Sequence, residues 1–219
     1  MNRWQVFSLF CLCSIVTLNA VAQESPSPAM TAARSVRISF VPPPLEGTIS
    51  LGIYDSSGKL VRVLYREAEI SDFDVGADAL HTKWDGRSDS GEPLPAGKYS
   101  ARGYVVGELQ VDDPVVTNAA LPPQGKLVVK LMPNALSPGK RQSVELQAGF
   151  DEDGTFLQTA DGLPLFTIDE TTGIFAVSVQ QRGDKTLDFF QDDGDTVDAF
   201  HISGVDRMMA FDAGDFELK

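Results

Sequence analysis

Histidine is the side chain best suited to proton transfer or metal binding near neutral pH, and the 219-residue chain has only two, His81 and His201. His81 lies in a short alternating run before Trp84, and His201 lies in a similar run near the C-terminus. Neither has a second histidine at a spacing that would place two ligands on one face. Serines and aspartates are plentiful, but no Gly-x-Ser-x-Gly elbow presents a nucleophile. No glycine-rich loop follows a strand and opens a helix, so a phosphate cradle is not expected. Glycoside cleavage needs a pair of carboxylates at a set separation, and spacing alone cannot choose that pair among 31 acids. The sequence therefore nominates no catalytic, cofactor-binding or metal-binding residue.

Two acidic groups invite a calcium reading: Asp151, Asp153 and Asp161, and then Asp192, Asp193, Asp195 and Asp198. Calcium needs six to eight oxygens around one point, and the Asp-x-Asp-x-Asp-Gly loop with its distal glutamate is missing. Aspartates beside glycine are also ordinary turn residues, because their carboxylates accept from the backbone two residues on. Turn chemistry is the expected role, and no metal or cofactor is assigned.

The charge balance excludes other classes. Lysine and arginine total 18 against 31 acids. Such a chain repels phosphate backbones, so nucleic-acid binding is not expected. The first 22 residues hold one base, Arg3, and no acid. After Arg3 the stretch Val6–Val16 is apolar but too short to span a bilayer, and Ala20-Val21-Ala22 offers a small-x-small cleavage site. Residues 1–22 are thus expected to be a signal peptide, and the chain an exported one with no membrane span after cleavage. Both cysteines, Cys11 and Cys13, fall within this segment. The remainder then has neither disulfides nor a thiol nucleophile, which fits a bacterial exported protein. Residues 23–34, with Ser25-Pro26-Ser27-Pro28, are expected to be a flexible leader.

Beyond the leader the apolar pattern has the period of strands. Val36, Ile38 and Phe40 alternate, then Ile49, Leu51 and Ile53. Asp55-Ser56-Ser57-Gly58 makes a turn, and Leu60–Tyr65 returns as a hairpin. Leu80–Trp84 and Lys98–Val106 are further strands, with Tyr99, Ala101 and Gly103 on one face of the second. Trp84 should bury its ring between two sheets, with one acceptor for its N–H. Asp85-Gly86 provides the sharp exit, and Tyr99 should return beside the indole.

The blocks Tyr54-Asp55-Ser56-Ser57-Gly58-Lys59-Leu60-Val61-Arg62, Lys83-Trp84-Asp85-Gly86-Arg87 and Leu94-Pro95-Ala96-Gly97-Lys98-Tyr99 together resemble the FlgD-type immunoglobulin-like domain. The resemblance covers residues 35–112 and implies a small antiparallel sandwich. In secreted bacterial proteins such a module serves as an accessory domain. The flagellar hook-capping members of that family would not carry a cleavable signal, so the resemblance does not imply a flagellar role here.

Residues 113–142 are expected to be a linker with one strand at Lys126–Leu131. Residues 143–219 read as an acidic β-rich domain of short strands separated by Asp/Gly turns. Phe150-Asp151-Glu152-Asp153-Gly154 is echoed by Phe190-Gln191-Asp192-Asp193-Gly194, at the period of a propeller blade. This region faintly resembles blades of NHL and lactonase-like propellers. About two blades cannot close a propeller, so three outcomes stay open: a compact sandwich, completion by oligomerising, or a shortened relative of a longer secreted protein.

The expected fold class is all-β, an immunoglobulin-like sandwich followed by a β-meander, sandwich or propeller-like region. The expected function is a non-enzymatic structural, docking or partner-binding module, its partner an unidentified protein or surface. Homo-oligomerisation remains open, with Met208, Met209, Phe211, Phe189 and Phe190 as core or assembly residues. The alternative is an enzyme or carbohydrate-binding protein with its site on the C-terminal half.

Overall fold

The structure, a computed structural model, describes residues 34–219. The expected signal peptide, both cysteines and all but the last residue of the leader lie outside the described residues. Among the described residues there are sixteen strands, one short 3-10 turn and no α-helix, so the all-β expectation holds. Also among these residues, no helix is long and apolar enough to cross a membrane.

The alternating segments expected to pair do so. β1 (Val36–Phe40), β4 (Asp74–Val75) and β5 (Leu80–Trp84) form an outer sheet in the order β1-β5-β4. β2 (Thr48–Asp55), β3 (Leu60–Ala68), β6 (Gly97–Val106) and β16 (Met208–Leu218) form a central sheet in the order β16-β6-β2-β3. All neighbouring pairs in both sheets are antiparallel.

Between these sheets lies the first core. Ile49, Leu51 and Ile53 enter from β2, Ile38 and Phe40 from β1, and Trp84 from β5. Trp84 is fully buried, donates its indole N–H to the Arg87 carbonyl at 2.9 Å, and meets the Tyr99 ring edge-on with centroids 5.1 Å apart. Tyr99 in turn donates its hydroxyl to the Pro95 carbonyl at 2.8 Å. The aromatic corner is therefore both apolar and hydrogen-bond satisfied, as a buried tryptophan and tyrosine require.

The second core lies between two further sheets. β9 (Leu127–Lys130), β10 (Ser143–Asp151), β11 (Gly154–Thr159) and β12 (Pro164–Asp169) form one, in the order β12-β11-β10-β9. β13 (Ala176–Gln181), β14 (Thr186–Asp192) and β15 (Val197–Ser203) form the other, where β15 also pairs with β7 (Gln110–Val111) and β8 (Val115–Thr117). Of the three outcomes open for this region, a sandwich is what the sheets build. The two echoed segments are the β10–β11 and β14–β15 hairpins of its facing sheets. Both phenylalanine-led segments therefore reflect hairpin chemistry, with Phe189 rather than Phe190 supplying the fully buried ring.

The sheets do not respect the domain limits expected from the sequence. β16, from the end of the chain, pairs along its length with β6, giving the first sandwich its fourth central strand. β7 and β8 join the second sandwich instead of ending the first. The physical reason is the edge that β6 would otherwise expose, which an antiparallel return of the C-terminus removes. The described residues, 34–219, fall within one compact unit.

The central sheet is what joins the cores. Six successive β2 residues, Ile49 to Tyr54, are buried, so both faces of the strand are covered. On β6, Tyr99, Ala101 and Val105 enter the first core, while Tyr104 and Val106 enter the second with Met208 and Ala210 of β16. Gly103 permits this thickness: a Cβ there would lie 2.5 Å from the Phe211 ring and 2.6 Å from the Ser50 carbonyl.

A polar clamp reinforces the joint on β3. The Glu67 carboxylate accepts from the Thr167 N–H at 2.9 Å and from its hydroxyl at 2.5 Å. Arg66 donates to Asp151 at 2.9 Å and Thr167 at 3.2 Å, with its guanidinium 4.3 Å from the centre of the Phe156 ring. Glu67 holds a left-handed backbone at φ 48° to do this. That conformation costs a non-glycine residue about 1–2 kcal/mol, while each hydrogen bond to a charged acceptor contributes about 1.5–3 kcal/mol. The bonds outweigh the strain, so Glu67→Gly should destabilise the fold although it relieves the backbone. Urea unfolding tests this, and a variant as stable as the parent would contradict the clamp.

Candidate binding groove

The second sandwich covers only half of one face of the central sheet. The covered half carries Val106, Tyr104, Met208 and Ala210. Along the same face, in strand register, come Arg102 opposite Asp212, then Ser100 opposite Asp215 and Tyr54. Asp212 and Asp215 are three residues apart and would ordinarily face opposite sides. A bulge between Asp212 and Gly214 inserts one extra residue, so both carboxylates reach the open face while Ala213 packs into the first core. Gly214, at φ 100°, supplies the left-handed step of the bulge.

A wall rises from the 131–142 connection between β9 and β10. It is fastened to the edge of β16: Met132 N–H donates to the Met208 carbonyl and the Asn134 side-chain amide to the Ala210 carbonyl, each at 2.9 Å. Arg141 donates to the Phe211 carbonyl and, at 2.8 Å, to the Asp212 carboxylate. Lys140 reaches the other Asp212 oxygen at 3.5 Å. The wall thus covers an exposed sheet edge and brings two cations to the open half-face.

Two adjoining cavities result. One, of about 450 Å³, extends toward Ser56, Lys98 and Phe216. The other, of about 630 Å³, extends toward Ser137, Lys140 and Arg141. Ser100, Arg102 and Asp215 line both and form the shared floor. The combined trough is of ligand-binding size.

Its electrostatics are ordered in pairs. Arg102 lies 5.2 Å from the Tyr54 ring centre and Arg141 lies 5.1 Å from that of Tyr104. Burial pushes the Tyr54 phenol well above its usual range, and the Asp161 charge adds to the push, while the two guanidiniums oppose it. Burial also raises Tyr104, against the pull of Arg141, and raises Tyr99 with help from Asp55. Arg141 and Lys140 share the single carboxylate of Asp212, at 2.8 and 3.5 Å. Among the described residues, the side chains of Arg102 and Asp215 make no ion pair or hydrogen bond, and the Ser100 hydroxyl is buried without a partner.

The residues weighed from sequence lie elsewhere. His201 sits on the outer face of the second sandwich and donates its Nδ1–H to the Asp188 carboxylate at 3.0 Å. Arg182 shares the same oxygen at 3.1 Å. His81 is on the outer sheet, cross-strand from Asp74 and Ser39, so the two imidazoles stand on different sheets. Most of the acidic residues serve their turns: Asp151 accepts from Asp153, Asp192 from Gly194, and Asp193 from Asp195 and Thr196, while Asp198 lies within β15 with one buried carboxylate oxygen unpartnered among the described residues. Hydrogen bonds from the Thr196 and Asp195 backbones hold the exposed Asp193 carboxyl below its usual value. Asp161 accepts from the Thr159 hydroxyl. Among the described residues no group of three or more metal-ligating side chains converges.

The groove residues went unnoticed in the sequence because they come from positions 54, 100–102, 141 and 212–215, with no motif between them. The one legible signal was the second face of β6, where Ser100 and Arg102 precede Tyr104. Comparison with protein-family models, with curated proteins and with solved structures finds no match.

Because burial raises Tyr54, Tyr99 and Tyr104 above the ordinary phenol value of about 10, their stabilisation is complete below about pH 10 and is lost as pH climbs from there through the folded values. Absorbance titration of phenolate should show these three tyrosines ionising late, with the loss of structure. Their ionisation in the ordinary phenol range while the protein is still folded would contradict this.

Proposed function

We propose that the chain is an exported bacterial β protein without a catalytic role, acting as a partner-binding module. The observation that carries this reading is the trough at the joint between the sandwiches, whose floor holds a free guanidinium, a free carboxylate and an unpartnered hydroxyl. The buried Ser100 hydroxyl, left without a partner among the described residues, costs folding free energy, and that cost is recovered when a ligand accepts from it. The resemblance of residues 35–112 to the FlgD-type immunoglobulin-like domain, an accessory module in secreted bacterial proteins, supports the same reading. So does the export segment expected at residues 1–22.

A photo-reactive p-benzoylphenylalanine placed at Lys140, on the rim of the trough, tests the assignment in cells that export the protein. A second placed at Lys83, exposed on the outer sheet, is the control. The exported form should begin at Gln23, and the Lys140 position should give an adduct of defined mass that the Lys83 position does not. Equal labelling from both positions, or none from Lys140, would contradict a groove-centred binding role.

A further inference from the structure

We propose that the trough binds a small ligand bearing one carboxylate and a second, hydrogen-donating end. The carboxylate is held by Arg102 and Ser100, and the donors by Asp215. This rests on the binding reading above and adds to it the chemical class of the ligand.

The floor itself sets that class. The Arg102 guanidinium carbon lies over the Tyr54 ring, 5.2 Å from its centre, and a cation held over a ring face need not spend its N–H donors there. The in-plane N–H fork of a guanidinium is the arrangement that matches a planar carboxylate. Arg141 is held by Asp212 and by the Phe211 carbonyl, and Lys140 shares that carboxylate, so Arg102 is the guanidinium lining the trough whose side chain has no partner among the described residues. Ser100 stands two residues away on the same strand face, about 7 Å along β6. Its residue is 8% exposed and its hydroxyl has no partner within the described residues. A carboxylate seated on the inner end of the guanidinium fork has a second oxygen to accept that O–H.

The opposite pole lies across the strand pair. Asp215 faces Ser100 in register, and its carboxylate makes no ion pair or hydrogen bond among the described residues. A carboxylate accepts and cannot donate, so its ligand partner is a hydroxyl or an ammonium. Four acids, Asp55, Asp212, Asp215 and Glu217, and four bases, Lys98, Arg102, Lys140 and Arg141, line the trough, so the wider field is set by the net charge of −13 on the whole chain. That field disfavours a phosphate or a polyanion and tolerates a single carboxylate paired with one guanidinium. The cavity of about 450 Å³ on the Tyr99 and Phe216 side suits a ring of monosaccharide size. A sugar acid and a zwitterionic dipeptide share this chemistry and differ only in the donor.

The test is a titration of the full mature protein, isotopically labelled for amide NMR, with D-glucuronate, D-glucose and glycylglycine. Saturable shifts at Ser100, Arg102 and Asp215 are expected with glucuronate, glycylglycine or both, which identifies the donor. Glucose should bind at least about tenfold more weakly, the cost of losing a charge-assisted pair. Arg102→Gln should weaken the carboxylate ligand about tenfold or more, with Arg102→Lys intermediate because the point charge remains but the fork is lost. Dispersed spectra of both variants would show that the fold persists, and Ser100→Ala should weaken binding without moving other resonances. The proposal is overturned if neither carboxylate gives saturable shifts in the trough, if glucose binds as well as glucuronate, or if Arg102→Lys and Ser100→Ala bind like the parent. The crosslink from Lys140 would survive those results, so a wrong ligand class is separable from a wrong binding site.

Discussion

Burial of the central sheet on both faces is the constraint on which the rest depends. A single-faced sheet lets its outward residues be polar, whereas a middle layer must be apolar, small or satisfied at every position. β2 meets that requirement. Ile49, Leu51 and Ile53 fill the first core, and Ser50, Gly52 and Tyr54 occupy the other face with minimal bulk or a ring. Ser50 is fully buried, yet its hydroxyl accepts from the Glu67 N–H at 3.2 Å. The same contact fixes the irregular turn of β3 that aims Glu67 at Thr167. Packing, strain and the polar clamp are therefore one connected device.

The groove follows from the same arrangement. The second sandwich is narrower than the face it covers, so the sheet passes from a dry joint to an open floor within a few residues of β6. Tyr104 and Tyr54 mark that transition. Both phenols are buried, and each lies under a guanidinium. Arg141 is spent on Asp212 and on the Phe211 carbonyl, which secures the wall. Arg102 has no such duty. A difference in partnering between two similar cations thus separates a structural arginine from one available to a ligand.

Much of the fold was legible because the strands obey simple periodicity. The Ile49-Leu51-Ile53 alternation, the Asp55–Gly58 turn and the Trp84-Asp85-Gly86 corner each fix a local geometry that the structure has. Domain limits were less legible, since pairing of β16 with β6 spans a sequence separation of more than a hundred residues and leaves no local mark. β16 also runs on to Leu218, beyond the apolar stretch ending at Phe211, because its outward positions Asp215 and Glu217 are solvated and its bulge breaks the alternation. The candidate site was least legible. Its residues acquire meaning only from register across three strands and from a wall that arrives from another sandwich.

Native-state hydrogen exchange tests the shared central sheet most directly. If one layer serves both cores, the amides of β2 and β6 should open only with those of β11 and β14, at a common free energy equal to that of global unfolding. Two separate classes, in which β11 and β14 exchange through an opening that leaves β2 and β6 protected, would contradict the account.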